Sequence, residues 1–283
     1  MIQVSQLYIY PVKSLGGIAL PAVNIARHGF EHDRRWMITD EHGHFLSQRE
    51  IPAMAMLHLS AAENGWKLQH VHDSNKNFFI PLAPPPQQPV TVQIWGSKTA
   101  ALPAGEAADE WFTQQLGMQC KLVYMPEQEG VLVDEQYNIN HGVTAFSDGF
   151  PILMTSEASL ELFNSRSTEI IPMNRFRPNM VISGTAAHEE DSMKEFSING
   201  IHFFGVKPSA RCVVTTINQT TAAKGKEPLK TLSIYRSQNN KTYFGENVMA
   251  AGTGTISTGN IVTILSKKDG LFGAGIAENG AKK

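Results

Sequence analysis

The residues best placed for chemistry lie between Gly205 and Thr216, in the run Gly-Val-Lys-Pro-Ser-Ala-Arg-Cys-Val-Val-Thr-Thr. Cys212 follows a proline turn and precedes a β-branched stretch, with Lys207 and Arg211 close in sequence. Neighbouring cations favour thiolate over thiol, and the thiolate is the form that binds soft metals or attacks electrophiles. The competing role is a small hydrophobe packed at a strand start, the usual fate of a free cysteine, and spacing alone favours it. Cys120 has one lysine beside it and no preceding turn, and reads as packing.

Basic residues recur at turns and strand ends. Lys13 and Ser14 stand in Pro11-Val12-Lys13-Ser14, Arg34 in Asp33-Arg34-Arg35-Trp36, and Arg175 and Arg177 in Asn174-Arg175-Phe176-Arg177-Pro178-Asn179. Arg175 and Arg177 are two apart, so an extended backbone puts them on one face. Arginine forks match phosphate and carboxylate oxygens, and a lysine adds a point charge. Converging, such residues would hold a phosphorylated cofactor; taken singly, each reads as a solvated charge or surface ion pair. His28 and His32, and His42 and His44, lie in loops without a carboxylate-rich ligand set and read as surface residues rather than a zinc site. Gly252-Thr253-Gly254-Thr255 precedes a strand instead of a helix, which makes a poor phosphate loop. Neither Gly-x-Ser-x-Gly nor His-Glu-x-x-His occurs.

The elements that must position these groups are mostly strands. β-rich runs are predicted at 4–10, 35–39, 56–59, 66–68, 78–80, 90–95, 179–183, 213–217, 241–244 and 254–265, with turns at Gly43, Asn64-Gly65 and Thr258-Gly259-Asn260. The proline cluster at 81–89 reads as an extended connector. Helices are predicted over 106–116, stopped by Gly117; over 156–166, with Thr155 or Ser156 as N-cap; and over 227–236, with Pro228 in its first turn. Many short strands and few helices predict a mainly β fold with α+β elements, a β-barrel joined to a smaller β-rich unit. The polar stretch at 118–135 suggests a boundary, giving domains over 1–120 and 121–267. Residues 268–283, rich in Gly, Ala, Asn and Lys, read as a flexible tail or linker stub.

The chain has 283 residues, 42% hydrophobic and 18% charged, an ordinary globular balance. A formal net charge of −2 argues against nucleic acid as a partner. Two cysteines exclude a secreted-type disulfide scaffold and any four-cysteine zinc or iron–sulfur site within the chain. The start, Met1-Ile2-Gln3-Val4-Ser5, shows no signal-peptide pattern, and the apolar runs are short. A soluble, reducing, cytoplasmic setting away from membranes is the expectation.

Taken in order, several motifs resemble those of MOSC-domain oxidoreductases that use a molybdenum cofactor. They are Tyr10-Pro11-Val12-Lys13-Ser14, Asp33-Arg34-Arg35-Trp36, Phe146-Ser147-Asp148, Thr155-Ser156-Glu157-Ala158-Ser159-Leu160, the run from Asn174 to Asn179, and Arg211-Cys212. Lys226-Glu227-Pro228-Leu229 and Gly254-Thr255-Ile256 are further matches. The likeness is to the mitochondrial amidoxime-reducing component and its bacterial, ferredoxin-fused relatives, and it runs from residue 2 to about 265. Each motif alone is weak; their ordered set is specific.

The resemblance implies a MOSC β-barrel with an N-terminal MOSC-associated domain, and a molybdenum cofactor in which a pterin dithiolene holds the metal. It implies Cys212 as the protein ligand to molybdenum, and Lys13, Ser14, Arg34 and Arg177 around the pterin and its phosphate. Ser147 and Asp148 would line the pocket, with Asp148 a candidate for proton delivery or for orienting a hydrogen bond, and Arg211 would sit beside the ligand. The implied reaction is reduction of N-hydroxylated compounds, with a role in detoxification; pyridoxal phosphate is a further cofactor expectation. The non-redox alternative is a module that carries sulfur on Cys212 or docks the cofactor there. Gly149-Phe150 departs from the small hydroxyl residues common in relatives. No cysteine follows Cys212, so no plant-type ferredoxin domain lies within this chain. Electrons would come from a separate ferredoxin domain or flavin reductase, and a monomer is expected.

Overall fold

A computed structural model describes residues 1–272 and is mainly β. Its largest sheet runs in the order Ile18–Leu20, Gln3–Ile9, Met180–Ser183, Ile152–Ser156, Lys241–Ala251, Ile201–Arg211, Met193–Ile198, Val262–Lys267. The last strand returns to the second: Ile261 bridges Gln3, Val4 N–H donates to Asn260 O at 2.9 Å, and Val262 N–H donates to Ile2 O at 3.0 Å. These bonds close the sheet into a barrel and leave no free edge at that seam. The strand Gln3–Ile9 thus belongs to the barrel built mainly by residues 152–267. Ile152–Ser156 and Met180–Ser183 pair in parallel, joined by a helical crossover; the other pairings in this sheet are antiparallel.

The N-terminal half also forms a four-stranded sheet in the order Trp36–Thr39, Lys121–Tyr124, Ser97–Pro103, Val90–Ile94, and a meander of Leu57–Ala62, Gly65–His70 and Asp73–Pro81, while Ala22–Ala26 and Gly29–Phe30 make a small sheet with Gly254–Ser257. Asn64 turns the first meander hairpin at φ +61°, a conformation that Asn tolerates. One apolar core joins both halves, with Leu7, Ile9, Trp36, Met154 and Phe196 all buried in it.

Helices form where caps and stops predict them. The helix α1 (Glu106–Leu116) ends at Gly117 in the left-handed conformation. The crossover helix α2 (Glu157–Arg166) starts where Ser156 Oγ accepts the Ser159 N–H at 3.1 Å. The short helix α3 (Leu229–Tyr235) follows Pro228.

Several expectations need correction. The β-branched run after Cys212 is a 3-10 turn over Val213–Thr216, because Thr215 and Thr216 hydroxyls donate back to Cys212 O at 2.9 Å and Val213 O at 2.7 Å. Arg175 and Arg177 do not share a strand face: Met173–Arg175 is another 3-10 turn. The turn at 258–260 does not make a hairpin, since Gly254–Ser257 pairs with Ala22–Ala26 while Val262–Lys267 pairs with Met193–Ile198. His28 is buried and its Nε2 bonds Glu129 O at 2.7 Å, so it is not a surface histidine.

The segment expected to be a loose tail begins as a packed one. Lys268 donates its backbone N–H to Ser192 O at 2.9 Å and its Nζ to Gly205 O at 2.8 Å, and it pairs with Glu246. The Arg236 guanidinium lies 4.4 Å from the Phe272 ring. The remainder of the expected tail, 273–283, lies outside the described residues. Glu246 is buried, with Oε2 unpartnered, and neighbours the buried Glu190 and the Asp191–Arg236 pair. Burial, opposed by Lys268, pushes the Glu246 carboxyl up to about 8. Glu190 is pushed up to about 7 by burial and then by the Asp191 charge.

A carboxyl whose folded value is raised binds more protons in the native state, so stability falls as pH climbs from the unfolded value through the folded one. The contribution of these two carboxyls to stability should therefore decline from about pH 5 to about pH 8. In Glu246→Gln the decline should flatten, with a higher thermal midpoint than the parent at the alkaline end. Scanning calorimetry across that range checks this, and parallel curves for the two proteins would reject it.

Candidate functional site

The strand Ile201–Arg211 is paired along its length with Lys241–Ala251, but its register slips between Gly205 and Lys207 and again between Pro208 and Ala210. Bulges bend a strand and re-aim its side chains. Gly205 is required at the first slip, because a Cβ there would lie 2.2 Å from Met193 O. As a result every residue from Lys207 to Cys212 lines one cavity of about 280 Å³. The strand ends at Arg211, and Cys212, half-buried, opens the 3-10 turn with its carbonyl held by Thr215.

The eight residues that the resemblance assigns to the site all line this cavity: Lys13, Ser14, Arg34, Ser147, Asp148, Arg177, Arg211 and Cys212. Three of them, Ser14 (φ +67°), Arg34 (φ +49°) and Arg177 (φ +54°), have left-handed backbones. Such conformations are costly for non-glycine residues and cluster where geometry is imposed for a purpose. The two guanidiniums lie against the same phenol, Arg34 at 4.6 Å and Arg177 at 4.2 Å from the Tyr10 ring. Arg34 is ion-paired to the buried Asp33 and donates to Asn179 Oδ1 at 3.1 Å. Arg177 donates to Leu15 O at 2.8 Å, and Arg211 to Ser209 Oγ at 2.8 Å.

Lys13 is buried, donates to Phe146 O at 2.8 Å and pairs with Asp148. Burial lowers the Lys13 ammonium, opposed by Asp148. Burial alone would raise the Asp148 carboxyl, but Lys13, Arg49 and Arg34 outweigh it and hold the group far below the usual carboxylate range. Asp148 is therefore ionised near neutral pH and acts as an acceptor, which favours the orienting role over proton delivery. Cys120 is buried beside Thr113, and its thiol is pushed up to about 11 by burial, as a packing cysteine would be.

Sequence reasoning left out Arg49, Lys241 and Asn247, and quoted Asn179 without assigning it to the site; all four also line the cavity. Arg49 comes from the loop after the first hairpin, where no motif marks it; its Nη2 lies 3.6 Å from Cys212 Sγ. Arg175 was read with Arg177, but it points elsewhere and bonds Thr215 O at 2.7 Å and Glu227 O at 2.9 Å, bracing the turn behind Cys212.

The charge balance of the lining is one-sided. Seven cationic side chains face the cavity against the single carboxylate of Asp148, in a chain of net charge −2. Three buried polar atoms there have no partner within the protein: Ser147 Oγ, Arg177 Nη2 and Arg211 Nε. Buried donors are nearly always satisfied, so these three aim at a ligand that accepts. Forked donors, a positive field and a sulfur in one cavity fit an anionic, phosphate-bearing cofactor with a soft metal.

A family profile described as "MOSC N-terminal beta barrel domain" matches residues 1–119, and one described as "MOSC domain" matches residues 141–263. A mouse (Mus musculus) protein named "Mitochondrial amidoxime-reducing component 1" is 31% identical, over 93% of this chain and 82% of its own. The chain belongs to the MOSC family. The human (Homo sapiens) protein of the same name is also 31% identical, over 93% of this chain and 83% of its own. A rice (Oryza sativa subsp. japonica) protein named "Molybdenum cofactor sulfurase" is 26% identical over 90% of this chain, which corresponds to 34% of that protein. The cytoplasmic expectation is overturned by these findings, because the mouse and human MOSC relatives are mitochondrial by name. No helix among the described residues is long and apolar enough to cross a membrane.

An anion-selective MOSC cavity should be stabilised by anions even without its cofactor. Inorganic pyrophosphate should raise the thermal midpoint of the cofactor-free protein, increasing with concentration as one-site binding requires. Arg34→Gln and Arg177→Gln should each abolish most of the shift. Differential scanning fluorimetry measures it, and an undiminished shift in both variants would reject the assignment.

Proposed function

We propose that this cavity holds a molybdenum cofactor and that the protein reduces N-hydroxylated compounds: hydroxylamines, amidoximes and N-hydroxylated bases. The observation that carries the reading is the Cys212 sulfur opening into a cavity with seven cations, one carboxylate and three unpartnered buried polar atoms. The names of the mouse and human relatives support the same reaction class. In this reading Cys212 is the metal ligand, and Lys13, Ser14, Arg34 and Arg177 hold the pterin and its phosphate. Ser147 and Asp148 line the pocket, and Arg211 sits beside the ligand with Nε turned to the cofactor. In the same reading the chain divides into domains over 1–120 and 121–267, the first lending its strand Gln3–Ile9 to the barrel of the second.

When bound, the molybdenum–pterin group supplies two-electron removal of oxygen from nitrogen. The N–O bond of the substrate breaks, two electrons and two protons enter, and an amine or amidine leaves with one water. A separate ferredoxin domain or flavin reductase returns the electrons, and the working unit is a monomer. The chain's own contribution is positional. Lys13 Nζ keeps its protons directed at Phe146 O and Asp148, and the ionised Asp148 orients hydrogen-bond donors towards the cavity. Detoxification of N-hydroxylated compounds is the physiological role that fits. Pyridoxal phosphate has less support, because the buried Lys13 amine is already committed to two acceptors.

The rice relative named as a sulfurase favours a second reading, in which Cys212 carries sulfur without redox turnover. Metal and mass analysis separate the two. Protein made in cofactor-producing cells should contain stoichiometric molybdenum and no persulfide on Cys212. Cys212→Ala should lower turnover of a hydroxylamine-type substrate with a supplied reductant by about a hundredfold or more, since outer partners of a metal ligand alone can cost 10–100-fold. Its circular dichroism should not change, and Cys120→Ala should keep its activity. Unchanged turnover in Cys212→Ala, or protein free of molybdenum, would overturn the redox reading.

A further inference from the structure

The Arg49 guanidinium makes three contacts, one of them to the Cys212 sulfur. Its guanidinium stacks on the face of Trp95 at 4.3 Å, its Nη2 stands 4.0 Å from Asp148 Oδ2, and the same Nη2 donates to Cys212 Sγ at 3.6 Å. Its backbone is fixed as well: the N–H donates to Ser47 Oγ at 3.3 Å, and the carbonyl accepts from Lys224 Nζ at 3.4 Å.

Trp95 is an unusual residue for its place. It sits in the two-residue turn between Val90–Ile94 and Ser97–Pro103, with φ +53° and 44% of its surface exposed. Hairpin turns of this length favour Gly, Asn and Asp, and a bulky aromatic in the left-handed region is strained. Nothing in the hairpin requires an indole. What uses it is the ring face, wedged between Phe45, 4.7 Å away centroid to centroid, and the Arg49 guanidinium. Backbone strain retained at a side chain that touches a cavity residue points to a function for that contact.

We infer that Arg49, clamped on Trp95, is a positioning residue for the Cys212 sulfur, delivering an N–H hydrogen bond that sets the reduction potential of the metal this sulfur holds. The inference rests on the function proposed above. A hydrogen bond to a metal-bound sulfur draws electron density from it and makes the metal easier to reduce. The Asp148 carboxylate gives the guanidinium a second anchor, and the indole limits its rotation.

The test uses the loaded enzyme and four variants: Arg49→Gln, Arg49→Lys, Trp95→Ala and Trp95→Phe. For each, molybdenum and pterin content, the potential from a redox titration, and the electron paramagnetic resonance signal of the half-reduced metal are measured. Arg49→Gln should load fully, yet at the parent's midpoint its oxidised-to-reduced ratio should rise about tenfold, the effect of one hydrogen bond to a charged group. Its resonance signal should change, and kcat should fall with KM little altered. Arg49→Lys should recover part of the shift, Trp95→Ala should move in the same direction by less, and Trp95→Phe should keep the parental potential.

Two outcomes overturn the inference alone. One is a loaded Arg49→Gln with the parental potential and signal. The other is loss of cofactor from Arg49→Gln, which would make Arg49 a cradle residue. A parent protein without molybdenum would overturn the proposed function and this inference together.

Discussion

Like charge held at close range is the constraint around which this MOSC chain is organised. Two guanidiniums share one tyrosine ring, and five further cationic side chains face the same cavity. Each close cation is tied down separately: Arg34 by Asp33, Lys13 by Phe146 O and Asp148, Arg177 by Leu15 O, Arg211 by Ser209. Apart from Asp148, which lines the cavity itself, the ties are uncharged groups and the buried Asp33, so they hold the side chains while one carboxylate offsets only part of the field. Burial lowers Lys13, Arg177 and Arg211, because desolvation disfavours their charged forms. A multiply charged anion offsets that cost, and selectivity for anions follows from the arrangement before any individual contact is counted.

The barrel converts that field into a site by bringing a sulfur to it. Two register slips in the strand Ile201–Arg211 turn consecutive residues towards the cavity, where a regular strand would present alternate ones. The neighbouring strand Lys241–Ala251 keeps its alternation at Glu246 and Asn247. Asn247 lines the cavity, while Glu246 is buried against the segment that carries Lys268. Contacts of the chain's C-terminal segment and of the cavity wall therefore meet in adjacent residues of one strand.

Much of this was legible in the sequence because it is local. The Gly117 stop, the Ser156 cap and the Asn64-Gly65 turn are decided by one or two residues, and the helices and hairpin appear where those residues stand. The eight cavity residues were reached through ordered motifs, and the fold gathers them from five separate stretches of chain. What escaped was decided at long range or by competing local bonds. Arg49 carries no motif, and its meaning comes from Trp95 and Cys212, 46 and 163 residues away along the chain. The run after Cys212 has strand composition, yet two threonine hydroxyls capture the nearby carbonyls and coil it. The segment from residue 268 reads as linker by composition, yet Ser192 O, Gly205 O and the buried Glu246, all distant in sequence, hold Lys268.

The ionised state of Asp148 narrows how protons can enter the proposed reaction. A carboxylate kept charged by Lys13 and Arg49 has no proton to give near neutral pH, whatever its distance from substrate. The ammonium of Lys13 does carry protons, and its affinity for them is reduced by burial and partly restored by Asp148. Charge and position thus reside in a pair: Lys13 stays bound to Phe146 O and Asp148, and Asp148 fixes where the ammonium points. Removing the Asp148 charge would strengthen Lys13 as an acid but release its aim, and would free Arg49 from one of its three contacts. The cavity's one carboxylate therefore orders two cations at once, which explains why a site otherwise built to attract anions retains a negative charge of its own.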